Sequence, residues 1–223
     1  MRHIKRLPLP LKLANQLASK TSNVFRLSSR QSKKLYAVLL ESQKNLCCYC
    51  ECLIDINDNH HFEHFQEQHD APELRYDYIN LLLSCEGNTK SGTKNKENNS
   101  CGHCKTKSFH NDIEIDYNLL LNPCINNEKL FYYSDGLVEA SKNCLEEDAE
   151  KVNYTINRLK LDTLRLELDR KREIRLIQNQ LEDLSPEEQY DFINNLLDVK
   201  QLKLTQYYST IKDMFSFILN SST

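Results

Sequence analysis

A chain of 223 residues with 27% charged and 39% hydrophobic side chains, and a mean hydropathy of -0.63, has the balance of a soluble fold of one or two domains and excludes wholesale disorder. Its longest aliphatic runs, such as 81–83 and 119–121, fall far below the roughly 18 apolar residues of a membrane span, and its 4 glycines can write neither a Walker A loop nor a dinucleotide fingerprint, so nucleotide hydrolysis falls to a partner. The net charge of -3 conceals a basic start: residues 1–40 carry +9 with no acid, leaving -12 on the remainder, a polarity suited to nucleic-acid phosphates or an acidic protein surface.

Residues 1–30 show no sustained period and read as an irregular basic arm. Pro8 and Pro10 break the amphipathic helix that an organelle transit peptide requires, and Lys12 and Asn15 interrupt a secretory apolar stretch, so the expected compartment is the cytoplasm. From 31 to 44, Leu35, Val38, Leu39 and Ser42 share one face, with Ser28 or Ser29 as N-cap, which predicts a helix leading to the first cysteines. Short apolar pieces at 53–56, 61–65 and 130–133 predict strands, Ser134-Asp135-Gly136 a turn, and the polar stretch 86–100 a loop. Beyond Cys144 the period becomes helical: Val152, Ile156 and Leu159 are followed by Leu161, Leu164 and Leu168, with a junction at Asp162-Thr163. Ser185-Pro186-Glu187-Glu188 starts another helix. In the last helix Leu204, Tyr207, Tyr208, Ile211, Met214, Phe215 and Ile218 form an apolar face that must be buried on the chain's own helices or on a partner. The expected domains are the arm 1–30, a central domain 31–143 and a helical region 144–223.

Cys47, Cys48, Cys50 and Cys52 crowd into six residues, too close for easy disulfide geometry, and Cys85, Cys101 and Cys104 form a second group. Two such groups in a cytosolic chain read as halves of a structural zinc site, with Cys47 and Cys50 gripping from a tight turn and Cys85 with Cys101 closing the tetrahedron. Cys124 and Cys144 stand apart and read as small buried hydrophobes. Between the groups, Glu63 offers a hard carboxylate suited to Mg²⁺ or Mn²⁺ and His64 an imidazole able to activate water, while His103, beside the distal cysteine, is the candidate second ligand. His60, His61, His69 and His110 read as solvent-facing or locally hydrogen-bonded.

The stretch 43–51, Phe62-Glu63-His64-Phe65, 76–81, Ser84-Cys85-Glu86, Cys101-Gly102-His103, Asn122-Pro123 through Asp135-Gly136, and 155–159 together resemble the HNH, or ββα-metal, nuclease family in its zinc-bearing form. Within that family the likeness is greatest to the nuclease subunits of Septu and retron-associated antiphage systems. The resemblance implies an α+β, mostly helical fold: a zinc-stabilised ββα-metal core, preceded by the basic arm and a helix and followed by a helical extension. It implies Glu63 as acidic metal ligand, His64 as general base, Asn80 as the residue that orients His64, and His103 as final metal ligand. It implies structural Zn²⁺ and catalytic Mg²⁺ or Mn²⁺, hydrolysis of DNA or of RNA such as tRNA, an ABC- or SMC-like ATPase partner (PtuA), and in retron forms a reverse transcriptase with its non-coding RNA. Three departures stand out: Glu replaces the commoner Asp at 63, the Pro often found just after the base is absent, and fifteen residues separate Cys85 from Cys101. The last leaves Cys101 or Cys104 as fourth thiolate. The alternative function is a non-catalytic zinc-knuckle adaptor that binds nucleic acid.

Overall fold

Pro10 sits immediately ahead of helix α1 (Leu11–Ala18), where its fixed φ suits a helix start, and Leu13 and Leu17, one turn apart, are buried with Met1 and Ile4. The stretch expected to be irregular therefore contains a packed helix, because both prolines lie outside it. These elements belong to a computed structural model that describes residues 1–55, 60–87 and 98–220. Helix α2 (Ser29–Ser42) opens on a capping box between Ser28 and Gln31 and buries Leu35, Tyr36, Leu39 and Ser42. It delivers the chain to a knuckle closed by pairing of Leu46 with Leu53 and by the Cys47 N–H donating to the Cys52 carbonyl at 2.9 Å.

Strands β1 (His60–His64) and β2 (Leu81–Cys85) pair antiparallel, with Glu63 opposite Leu82 and His64 opposite Leu81. The one-turn helix α3 (Gly102–Lys105) follows them. The predicted strand at 53–56 reduces to the Leu53 bridge, its last residue lying outside the described ones, as does most of the predicted loop 86–100. A second hairpin joins β3 (Phe131–Ser134) to β4 (Leu137–Ala140) through Asp135 and Gly136. Both have positive φ, 43° and 80°, the two-residue connection whose twist matches its strands. A side chain at Gly136 would meet the Glu167 carbonyl at 2.6 Å.

Helix α4 (Glu146–Leu159) carries Glu146, Glu147 and Asp148 in its first turn, against the positive end of its dipole, and buries Val152, Ile156 and Leu159. Lys160 then turns left-handed, and Thr163 caps α5 (Leu164–Leu181). That turn resets the phase: α5 buries Leu166, Arg170, Ile174, Ile177 and Leu181, whereas Leu164 and Leu168, expected on the inner face, are exposed. Ser185 and Glu188 form the predicted capping box of α6 (Pro186–Leu196). The broad apolar face of α7 (Tyr208–Asn220) is buried within the chain, with Ile211 and Phe215 in a cluster with Ile174, Ile177 and Ile193. The overall class is mixed α/β, with helices around two small antiparallel sheets, and no helix among the described residues is long and apolar enough to cross a membrane.

Glu51, in the knuckle, binds the two ends of the fold together. Its buried carboxylate accepts from the Arg2 N–H, the Ser209 N–H and the Ser209 hydroxyl, each at 2.7 Å, and its carbonyl accepts from the Tyr207 N–H at 2.7 Å. Glu51→Ala leaves the part-buried Arg2 and Ser209 donors unpaired and is expected to cost about 2–4 kcal/mol in urea unfolding, whereas Glu150→Ala on the exposed face of α4 stays within about 0.5 kcal/mol. A Glu51→Ala midpoint equal to that of the parent chain would remove Glu51 from this role.

Candidate metal centre and active site

The knuckle and β2 bring the Sγ atoms of Cys47, Cys50, Cys52 and Cys85 within 4.8 Å of one another. Four thiolates at about 2.3 Å from one Zn²⁺ stand about 3.8 Å apart, and Cys50 and Cys85 are separated by 3.7 Å. The set is therefore able to hold a metal such as zinc. Cys101 lies close enough to this group to shift the thiols of Cys47, Cys50 and Cys85, and its own thiol donates to Ser100 Oγ at 3.5 Å. The neighbouring Cys101 brings the Cys50 thiol down to about 5. Burial alone would raise the Cys47 thiol, yet bonds from Cys101, Cys48, Cys50 and Cys52 hold it well below its ordinary value. Cys101 has φ 65° and ψ -149°, a region almost confined to glycine, and its N–H is tied to the Leu159 carbonyl at 2.8 Å. Such strain persists where the surroundings over-determine it. Five cysteines thus converge; Cys52 was not expected among them, and Cys104 lies outside the group, its thiol raised to about 11 by burial. Cys124 and Cys144 are only half-buried.

Strand alternation divides the Glu63–His64 pair. Glu63 points toward α3, where Lys105 donates to Oε1 and the Tyr49 hydroxyl donates to the same oxygen at 3.0 Å. His61, two residues back and so on the same face, places Nε2 3.3 Å from Glu63 Oε2. Burial would raise the Glu63 carboxyl, but Lys105 and His61 hold it down at about 2. The Lys105 ammonium, itself buried, also donates to the His64 carbonyl and, at 2.9 Å, to the Phe65 carbonyl. Gly102 makes this approach possible, since a Cβ there would lie 2.3 Å from Glu63 Oε2 and 2.9 Å from His61 Nε2.

His64 faces the other way, its ring edge-on to Phe25 at 4.8 Å between centroids and its Nε2 2.9 Å from the Arg75 carbonyl. A carbonyl only accepts, so Nε2 carries the hydrogen and Nδ1 the lone pair. Burial lowers the His64 pKa and keeps the ring neutral. Asn80 clamps the adjoining backbone: it accepts from the Gln66 N–H at 2.8 Å and donates to the carbonyls of Gln66 at 2.9 Å and Leu74 at 3.3 Å. Arg75, which holds His64, is the next residue after Leu74. His103, on α3, stacks on His61 with centroids 4.1 Å apart and meets Glu86 at 3.1 Å. Glu63 and His103 are thus brought together through His61, while His64 stands across the strand from them.

His61, Glu86 and Lys105 are the members that sequence reasoning missed. His61 was expected to be solvent-facing or locally bonded; its spacing of two from Glu63 within a strand is the signal that places it on the same face. His69 behaves as expected, lying between Glu67 and Asp70, and His110 is bound to the carbonyls of Cys104 and Arg158.

No family profile matches the chain. Over 97 residues it is 37% identical to a Bacillus thuringiensis protein described as Septu protein PtuB, a likeness that covers 42% of this chain and 38% of that protein.

Two outcomes test these centres. Cys47→Ser, Cys50→Ser and Cys85→Ser are expected to reduce zinc from about one ion per chain to near zero by elemental analysis, and Cys52→Ser compared with Cys101→Ser identifies the fourth thiolate. Full zinc in all five variants would contradict a thiolate site. Lys105→Met strands a buried carboxylate and is expected to cost about 3–5 kcal/mol, partly recovered in Lys105→Met/Glu63→Gln; equal unfolding midpoints for Lys105→Met and the parent would show that the pair carries no such weight.

Proposed function

We propose that this chain is a metal-dependent HNH-type endonuclease that hydrolyses phosphodiester bonds of nucleic acid, and the effector subunit of an antiphage complex of the Septu kind. The observation that carries this reading is the convergence of Glu63 and His103 around His61 beside a cysteine cluster, on elements that run strand, strand, short helix. The partial likeness to a Septu PtuB protein supports the same reading. The thiolates would hold structural Zn²⁺ through Cys47, Cys50 and Cys85, with Cys101 or Cys52 as fourth ligand. A hydrolytic cation, Mg²⁺ or Mn²⁺, would sit by Glu63 and His103, where it supplies stabilisation of the charge developing on the phosphoryl oxygens.

His64, on the opposite face of β1 from Glu63, is the proposed general base: its neutral Nδ1 would take the proton from water while the water oxygen bonds to phosphorus, and the departing oxygen would leave with the electrons of the broken P–O bond. The Arg75 carbonyl fixes the tautomer, and Asn80 holds the backbone that presents that carbonyl. Lys105 keeps Glu63 ionised and fixes the turn of backbone after β1. An ABC- or SMC-like ATPase of the PtuA type is the proposed partner, with a reverse transcriptase and its RNA where the system is a retron. In this arrangement 31–143 is the nuclease domain, 1–30 its basic arm and 144–223 its helical extension.

His64→Ala is expected to lower cleavage of DNA, total RNA or tRNA by about 10²–10⁴-fold in the presence of Mn²⁺, with zinc content and circular dichroism unchanged. Unchanged turnover in that variant removes His64 from the mechanism. Absence of cleavage by the chain assembled with its ATPase, on every one of these substrates, favours the zinc-knuckle adaptor.

A further inference from the structure

The ligand atoms of His61, Glu86 and His103 lie within 4.8 Å of one another, on β1, just after β2 and on α3. The hydrolytic reading places the cation by Glu63 and His103, and the geometry distributes their work differently. Glu63 Oε1 is engaged by Lys105 and Tyr49, and Oε2 faces His61 Nε2 at 3.3 Å. An ionised carboxylate only accepts, so the His61 hydrogen is on Nε2 and the lone pair on Nδ1. That Nδ1 is buried and has no hydrogen-bond partner. A buried acceptor left unpaired is costly, and a cation satisfies it. Glu63 thereby stands behind a histidine ligand, as the carboxylate of a carboxylate–histidine–metal relay.

We infer that the hydrolytic cation is held by His61, Glu86 and His103, with Glu63 as a positioning residue behind His61, and that the site takes a transition-metal ion of the Mn²⁺ or Co²⁺ class in preference to Mg²⁺. The inference rests on the proposed hydrolytic function and names the ligands of that same site. Two imidazoles and one carboxylate suit such ions, whereas Mg²⁺ takes oxygen ligands and keeps much of its water. The His61 and His103 side chains are 23% and 36% exposed and Glu86 is 15% exposed, so solvent reaches the cluster at its histidines. Gly102 supplies the space in which His61 and Glu63 meet.

The test titrates Mn²⁺ into the full chain, loaded with zinc, and follows free Mn²⁺ by electron paramagnetic resonance, with pulsed measurements to count bound imidazole nitrogens. The parent chain is expected to bind about one Mn²⁺ with two imidazole couplings, and equimolar Mg²⁺ does not displace it. His61→Ala leaves one coupling and, like Glu86→Gln, weakens binding by at least about 10-fold. Glu63→Gln weakens it by about 10–100-fold and keeps both couplings, which separates positioning from ligation. Zinc content and circular dichroism check each fold. Should both His61→Ala and Glu86→Gln fail to fold, the coupling count in the parent chain decides alone. No Mn²⁺ binding, fewer than two couplings in the parent chain, unchanged couplings in a folded His61→Ala, or ready displacement by Mg²⁺ overturns the inference. Cleavage is scored separately: His64-dependent cleavage with altered cation results defeats only these ligands, whereas the expected cation results without cleavage defeat the hydrolytic reading and leave the site standing.

Discussion

A single buried ammonium group joins helix α3 to the strand that carries Glu63 and His64. Lys105, at the end of the one-turn helix α3, neutralises Glu63 and donates to the carbonyls of His64 and Phe65, so the helix is fastened to β1 both through a side chain and through its backbone. Burying a charge is costly unless it is paired and fully hydrogen-bonded, and here the three donors of the ammonium have three acceptors. α3 is too short to hold itself by its own ladder. Its position depends instead on Lys105, on the Gly102 N–H donating to Ser84 Oγ at 3.2 Å, and on Arg158 donating to the Lys105 carbonyl at 2.7 Å.

The arrangement puts a cysteine cluster and a histidine–carboxylate cluster side by side, sharing the end of β2 and the start of α3. Cys85 is followed by Glu86, and Cys101 stands two residues from His103, so each chain segment serves both clusters. A metal on the thiolates would fix the ends of those segments, and with them the separation of Glu86 and His103. Glu51 extends the coupling outward, since the knuckle that carries Cys50 and Cys52 also holds the start of the chain and the first turn of α7.

Much of this was legible in the sequence where a local rule governs. Ser28, Ser185 and Thr163 cap helices because short polar side chains reach the free N–H groups of a first turn, and Asp135-Gly136 makes a hairpin because both residues tolerate positive φ. What was less legible depends on helical phase and on the strand face that a residue takes. The junction expected at Asp162-Thr163 is present, since left-handed Lys160 ends α4 and Thr163 caps α5, but the phase changes across it and leaves Leu164 and Leu168 exposed. Glu63 and His64 are adjacent in sequence, but a strand sends neighbours to opposite faces and gives Glu63 to His61. Lys105 and Glu86 carried no signal: a single charged residue beside a cysteine is ordinary until the tertiary fold buries it against a partner. Cys52 and Cys101 both reach the trio because the knuckle and the strained Cys101 backbone converge from separate segments, which spacing alone does not reveal.

The most direct measurement is anomalous diffraction from crystals of the full chain grown with zinc and soaked in Mn²⁺, recorded on both sides of the zinc and manganese absorption edges. Two chemically distinct centres predict a zinc peak among Cys47, Cys50 and Cys85 and a separate manganese peak among His61, Glu86 and His103, with Lys105 on Glu63 in the same crystal. Manganese found only at the cysteines, or bound directly by Glu63 with Lys105 displaced, would contradict it.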